Sequence, residues 1–204
     1  MSEFDHRAVD WDKNLMHLRR SEVIATALMS RVTISSKMTA LEFGAGTGLL
    51  SFILKDKFSA IVMIDSSKEM IKVTENKIAE SGNQNLKALW IDLERDDYKG
   101  QFDILYSQMV LHHVDNIDLI FNKFKALIKP GGYLAIADLY KEDGSFHGDS
   151  FTGHKGFDVD LLTSQLQAKG FRDIVTKPCF AVQHENENGE FKDYPVFLLT
   201  AIRD

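Results

Sequence analysis

The chain has one cysteine, Cys179, and three prolines among 204 residues. A lone cysteine excludes an internal disulfide and any zinc site built on several cysteines. Long apolar runs are missing too. The longest are a handful of residues, such as Tyr133 to Ala137, whereas a membrane-spanning helix needs about 20. Basic charge is in deficit: 24 Lys and Arg against 30 Asp and Glu leave a formal charge of −6. That balance speaks against a general nucleic-acid or anionic-membrane surface, while a local basic patch stays compatible with it. No repeat or low-complexity stretch interrupts the chain. Met1 to Ser30 alternates charged and apolar residues and contains no signal-peptide core, so the expectation is a cytoplasmic protein.

What is present is ordinary for a soluble globular domain: 44% hydrophobic and 26% charged residues, on a length that suits one domain. Apolar spacing of three and four (Leu15, Leu18, Ile24, Ala25, Leu28, Met29) predicts helix from Asp5 to about Val32. A strand Thr39–Phe43 runs into Gly44-Ala45-Gly46-Thr47-Gly48, and a helix Leu49–Lys57 should follow. The alternation repeats with strands at Ser59–Ile64, Leu86–Ile91, Phe102–Tyr106 and Tyr133–Ala137. Helices are expected at Ser67–Glu80, Asn116–Ile128 and Val159–Lys169. Pro130-Gly131-Gly132 marks the stop before the fifth strand. Strands that alternate with helices imply a parallel sheet covered on both faces. Ile174–Gln183 and Tyr194–Ile202, separated by the polar segment His184–Asp193, read as an antiparallel hairpin closing the sheet edge.

The glycine loop is the strongest chemical signal. It follows a strand and opens a helix, where glycines permit a tight turn and let a ligand approach the backbone. Its spacing differs from the dinucleotide fingerprint G-x-G-x-x-G, because the third glycine, Gly48, comes one residue early. Asp65 ends the second strand, placed to accept hydrogen bonds from a ribose diol; a helix N-terminal acid beside Ser66, Ser67 and Glu69 is the alternative. Asp92 follows the third strand, and the alternative there is a loop acid.

Leu41 to Gly48 resembles the first motif of the class I methyltransferases that use S-adenosylmethionine. The later motifs occur in the family's order. The resemblance implies the seven-stranded methyltransferase fold, a Rossmann-like parallel α/β sheet with flanking helices and a C-terminal antiparallel hairpin. It implies a single domain over 1–204, with a helical cap (1–34), a cofactor-binding core (35–138) and a substrate loop with hairpin (139–204).

The implied cofactor is S-adenosyl-L-methionine. Glu42, Gly44, Ala45, Gly46 and Gly48 carry over from the glycine motif. Asp65 takes the ribose, Ser66 lies along the adenosine, and Met70 packs under the adenine, with core packing as the alternative for Met70. Asp92 and the backbone of Leu93 meet the adenine. Ser107 and Gln108, past the fourth strand, meet the cofactor's amino acid part or the substrate. Trp11-Asp12 resembles the aromatic-Asp pair that covers the cofactor in small-molecule members, with a partner anchor as the alternative.

Leu111-His112-His113 matches a pattern of small-molecule members, in which His112 is a general base or packs near the site. The Pro-Pro-aromatic motif of the DNA and protein-glutamine branches is missing after the fourth strand, which argues against those substrates. Adjacent histidines on a helix should point to different faces, so no metal site is expected. The loop Asp138–Asp158, on the ligand side of the sheet, offers Phe146, His147 and His154 as substrate contacts, or acts as a lid. The expected function is methyl transfer to a small molecule of an uncharacterised branch. The rivals are a nicotinamide-dependent oxidoreductase and a non-catalytic protein that binds the same cofactor.

Overall fold

The computed structural model describes residues 4–148, 150–185, 189 and 191–204. Residues 1–3 of the expected cap, Asp149 of the substrate loop, and 186–188 and 190 of the polar segment lie outside the described residues.

The predicted first helix is two elements. Asp5–Lys13 is a 3₁₀ segment, and α1 runs Leu15–Arg31. The break is at Asn14, whose backbone is extended and whose side chain accepts the Met16 N–H at 2.9 Å. A cap residue of this kind starts a helix and cannot also continue the preceding one. The consequence is functional, since the freed 3₁₀ segment folds back over the glycine loop. There Ser67 Oγ donates to Asp5 at 2.6 Å.

The other elements lie close to their predicted positions. They are β1 (Thr39–Phe43), α2 (Leu49–Leu54), β2 (Ala60–Asp65), α3 (Lys68–Ser81), β3 (Leu86–Trp90), β4 (Phe102–Gln108) and α4 (Ile117–Leu127). Then follow β5 (Ile128–Leu139), α5 (Val159–Ala168), β6 (Phe171–Glu185) and β7 (Phe191–Arg203). Side chains cap the helix starts: Ser67 accepts from Met70, Asn116 from Leu119, and Asp158 from Asp160 and Leu161. Pro178 is tolerated in β6 because that strand is at the sheet edge and the ladder slips there.

The seven strands are ordered β3-β2-β1-β4-β5-β7-β6. The first five are parallel, and β7 is antiparallel to both β5 and β6. The hairpin was expected at the edge; its second strand inserts between β5 and the first. Strand order reverses direction between β1 and β4, and ligands settle at such a switch point, beyond the carboxyl ends of the strands.

Residues alternate between two apolar layers along each strand. Leu41, Leu105, Leu134 and Ile136 pack under α4 and α5 with Phe121, Phe124, Leu162 and Leu166. Ala40, Ile104, Tyr106 and Ala135 face α1 and α2 with Ile24, Leu28, Leu50 and Leu54. Each fully buried Leu or Ile contributes about 1.5–3 kcal/mol, so α1 is fastened firmly by its inner face. Among the described residues, no helix is long and apolar enough to cross a membrane.

Candidate active site

A cavity of about 620 Å³ opens at the switch point, within the range of small-molecule sites. Its floor is the loop after β1. Gly44 and Gly46 have φ of +64° and +56°, a region that side chains rarely adopt. The turn is pinned where Ala45 N–H donates to the Ile64 carbonyl at 3.0 Å. At Gly46, a Cβ would meet only Met70 Sδ at 4.0 Å, so the missing side chain leaves open cavity.

Asp65 stands beside this floor. Its Oδ2 accepts the Gly46 N–H and its Oδ1 the Ser67 N–H, both at 2.7 Å. Both alternatives for Asp65 therefore share one carboxylate: it ties α3 to the glycine loop and still has lone pairs toward the cavity. Burial raises its pKa, and the two N–H bonds oppose the rise. Ser66, Met70, Asp92 and Leu93 continue the wall. Asp92 also closes its own turn, accepting the Glu94 N–H at 3.1 Å. Trp11 lines the opposite side, its ring 4.2 Å from that of His17.

The far end of the cavity is rich in imidazole. His112 is 1% exposed and its Nδ1 lies 2.7 Å from Asp138 Oδ1. Burial alone would raise the pKa of Asp138; the His112 charge and hydrogen bond and the Leu139 N–H bring it below the ordinary carboxylate value. An ionised carboxylate only accepts, so Nδ1 carries the hydrogen of this bond and Nε2 is the ring nitrogen left for other contacts. Asp138 was missed as a site residue. It is the penultimate residue of β5, near the carboxyl end of its strand as Asp65 is of β2.

Arg20 was missed as well. It is 6% exposed, and its Nε has no hydrogen-bond partner among the described residues. Burial lowers it to about 10, against the pull of Asp138. Gln108 completes this corner, donating to Ser21 Oγ at 3.0 Å. Next to it, Met109 holds φ at +54°, a strained conformation of the kind that concentrates at functional sites.

His113, Phe146 and His147 line the same cavity. The expectation that His112 and His113 diverge is corrected. Their ring centroids are 4.2 Å apart, because the two residues sit in a three-residue 3₁₀ turn, Leu111–His113, rather than on an α-helix. Burial, then the neighbouring imidazoles, lowers His113 to about 3 and His147 to about 4.

Four predicted site residues are absent from the cavity wall. Glu42 points the other way, because strand alternation puts it on the Ala40 face, under α2. There it accepts from Ser51, which also meets Tyr106 at 2.7 Å. Gly48 caps α2, boxed in by Met63, Thr74 and Phe52. Ser107 faces into the sheet interior, its hydroxyl buried. His154 is a fastener: its N–H donates to the His112 carbonyl at 2.8 Å, and its Nε2 is 3.0 Å from the Val114 carbonyl. It thereby pins the substrate loop against the histidine turn.

Residues 41–134 match the family model described as a methyltransferase domain. An uncharacterised methyltransferase of Schizosaccharomyces pombe is 34% identical over 122 residues, covering 56% of this chain and 43% of that protein. Over this part of its length the chain is similar to the class I S-adenosylmethionine-dependent methyltransferases. A malonyl-[acyl-carrier protein] O-methyltransferase of Ilyobacter polytropus is 30% identical over 127 residues, covering 61% of the chain and 47% of that protein. The chain thus spans less than half the length of these curated relatives. Among solved structures, the YcgJ protein of Bacillus subtilis shares the fold at a TM-score of 0.72 and 16% identity, with 88% of this chain and 97% of that one covered. Phosphoethanolamine N-methyltransferase 2 of Haemonchus contortus, solved with S-adenosylhomocysteine, gives 0.71 at 14% identity, covering 88% and 52%.

The residues of this site fit S-adenosylmethionine, the cofactor of that family. The open space above Gly46 admits a ligand against the backbone. The Arg20 Nε, buried in the cavity wall without a partner among the described residues, suits a carboxylate.

Proposed function

We propose that this chain transfers a methyl group from S-adenosylmethionine to a small-molecule acceptor. The observation that carries the reading is one cavity lined by both the Gly46–Asp65 floor and His112, which Asp138 holds from behind. When bound, the sulfonium cofactor supplies an electrophilic methyl group.

The chain's part is to bind, orient and keep out water. Asp65 accepts from the ribose hydroxyls while its backbone bonds hold the loop in shape. Met70 and Leu93 flank the adenine and Asp92 accepts from its amino group. Arg20 meets the carboxylate of the amino acid tail. The 3₁₀ segment, with Phe4 and Trp11, covers the opening. Well-oriented reactants save about 7–11 kcal/mol of barrier, so positioning is the main contribution. His112, held by Asp138, presents Nε2 to the acceptor's end of the cavity, a lone pair able to take a proton or to bind an ion.

A small acceptor is supported by the size of the cavity, about 620 Å³, and by relatives named for small-molecule chemistry, among them ubiquinone biosynthesis O-methyltransferases. Calorimetry with S-adenosylmethionine tests the binding step: the native chain binds, and Gly46→Val and Asp65→Ala lose binding. Labelled cofactor incubated with a fractionated extract tests the rest. Label is expected in the low-molecular-weight fraction, and label confined to protein or RNA overturns the reading.

A further inference from the structure

Three histidines converge inside the cavity from two separate segments. His112 and His113 come from the turn after β4. His147 comes from the substrate loop, where Gly144 and Gly148, both at positive φ, bracket it. One ring nitrogen of each lies within 4.8 Å of the others. The rings are in mutual contact, with His147 centroids 5.2 Å from His112 and 5.1 Å from His113. We propose that His112, His113 and His147 bind a divalent zinc-type ion, with Asp138 as the positioning residue behind His112.

Three features of the chemistry support this. Imidazole is a preferred ligand of zinc and its neighbours in the first transition row. Metal-bound histidines commonly donate their second ring N–H to a carboxylate, which fixes the tautomer. Asp138 does this for His112 at 2.7 Å and leaves Nε2 for the ion. Third, three protein ligands leave a coordination position free, as catalytic zinc sites do. Zinc–nitrogen bonds of about 2.0–2.1 Å require the three nitrogens to draw closer than they lie now. His147 is on an exposed loop flanked by glycines and supplies that movement.

The role rests on the methyl-transfer reading. A hydroxyl or thiol acceptor that takes the free position loses its proton to water. Its heteroatom anion then forms the new bond to the methyl carbon as the carbon–sulfonium bond breaks, leaving a neutral thioether.

The test uses the full chain without an affinity tag. It is titrated with Co²⁺, followed by visible absorption, and with Zn²⁺, followed by calorimetry. One equivalent is expected to bind. His147→Ala, which alters an exposed loop, and His113→Ala are expected to lose at least tenfold in affinity, and Asp138→Asn about 10–100-fold. Absence of uptake by the native chain overturns the proposal. So does uptake that His147→Ala and His113→Ala leave unchanged. S-adenosylmethionine affinity is measured on the same samples. Cofactor binding without metal uptake removes the metal site alone, whereas metal uptake without cofactor binding removes the methyl-transfer reading.

Discussion

Lys77 of α3 donates to Asp12 Oδ2 at 2.6 Å and to the Thr47 carbonyl at 2.7 Å. One ammonium therefore ties the N-terminal 3₁₀ segment to the glycine loop. Phe4, Arg7 and Trp11 of that segment and its start line the cavity, so the release of a bound cofactor is expected to depend on how firmly the segment is held. The pair is about one quarter to one third exposed. That places it above a fully solvated ion pair, about 0–1 kcal/mol, and below a buried charge-assisted bond. Lys77→Met is expected to speed cofactor dissociation about tenfold, corresponding to about 1.4 kcal/mol, while the melting temperature drops by a few degrees. Stopped-flow release measures this, and an unchanged rate would show that the segment is not the gate.

Gly44 is fixed by two separate constraints. Its φ is +64°, and a Cβ there would lie 2.4 Å from both methyl carbons of Val110. The backbone penalty for alanine is about 1–2 kcal/mol, and displacing Val110 adds about 1–3 kcal/mol. Gly44→Ala is therefore expected to destabilise the native chain by the sum. Introduced into Val110→Ala, the same change should destabilise by less, because the two methyl carbons are gone and only the residue 110 Cβ, at 2.9 Å, remains in the way. Urea denaturation of the four proteins in this cycle separates the two shares. An equal loss in both backgrounds would show that Val110 yields freely.

The glycine loop and Asp65 were legible because their signal is local: a strand end, a tight turn, a helix start. Asp138 carries a similar local signal, an acid near the carboxyl end of the fifth strand, and was missed. Arg20 was not legible. An arginine in an amphipathic helix reads as solvated, and only the lean of α1 over the cavity buries it. Glu42 was assigned to the cofactor through its motif, whereas strand alternation from Ala40 already turns it under α2. The meeting of His147 with His112 and His113 depends on how a loop of twenty residues folds back, which no spacing in the sequence encodes.

Glu42 gives the stability a pH dependence. Burial raises its pKa to about 8 from 4.5, against the Ser51 hydrogen bonds. Below about 4.5 both folded and unfolded chains hold this proton, and the contribution is fully present. Between there and about 8 only the folded chain holds it. Stability then falls as pH rises, by up to about 1.4 kcal/mol per unit. Glu42→Gln is neutral at every pH and lacks this slope. Urea unfolding at pH 5, 6, 7 and 8 should show the variant gaining on the native chain step by step. Parallel curves would mean that Glu42 is already ionised in the fold.

Arg20 offers a test of cofactor orientation. Its guanidinium is buried in the cavity wall and its Nε lacks a partner among the described residues, so a carboxylate there gains charge-assisted bonds of about 1.5–3 kcal/mol. Arg20→Met is expected to weaken S-adenosylhomocysteine about 10–100-fold. Arg20→Lys should restore little, because an ammonium does not present the same planar fork. Methylthioadenosine, which has the nucleoside and sulfur but no amino acid tail, should bind the native chain and Arg20→Met equally. Calorimetry with both compounds distinguishes the cases. Equal losses for the two would mean that Arg20 acts through the fold around Asp138. Unchanged affinity for both would reassign the guanidinium to the methyl acceptor, as an anion-binding group at the imidazole-rich end of the cavity.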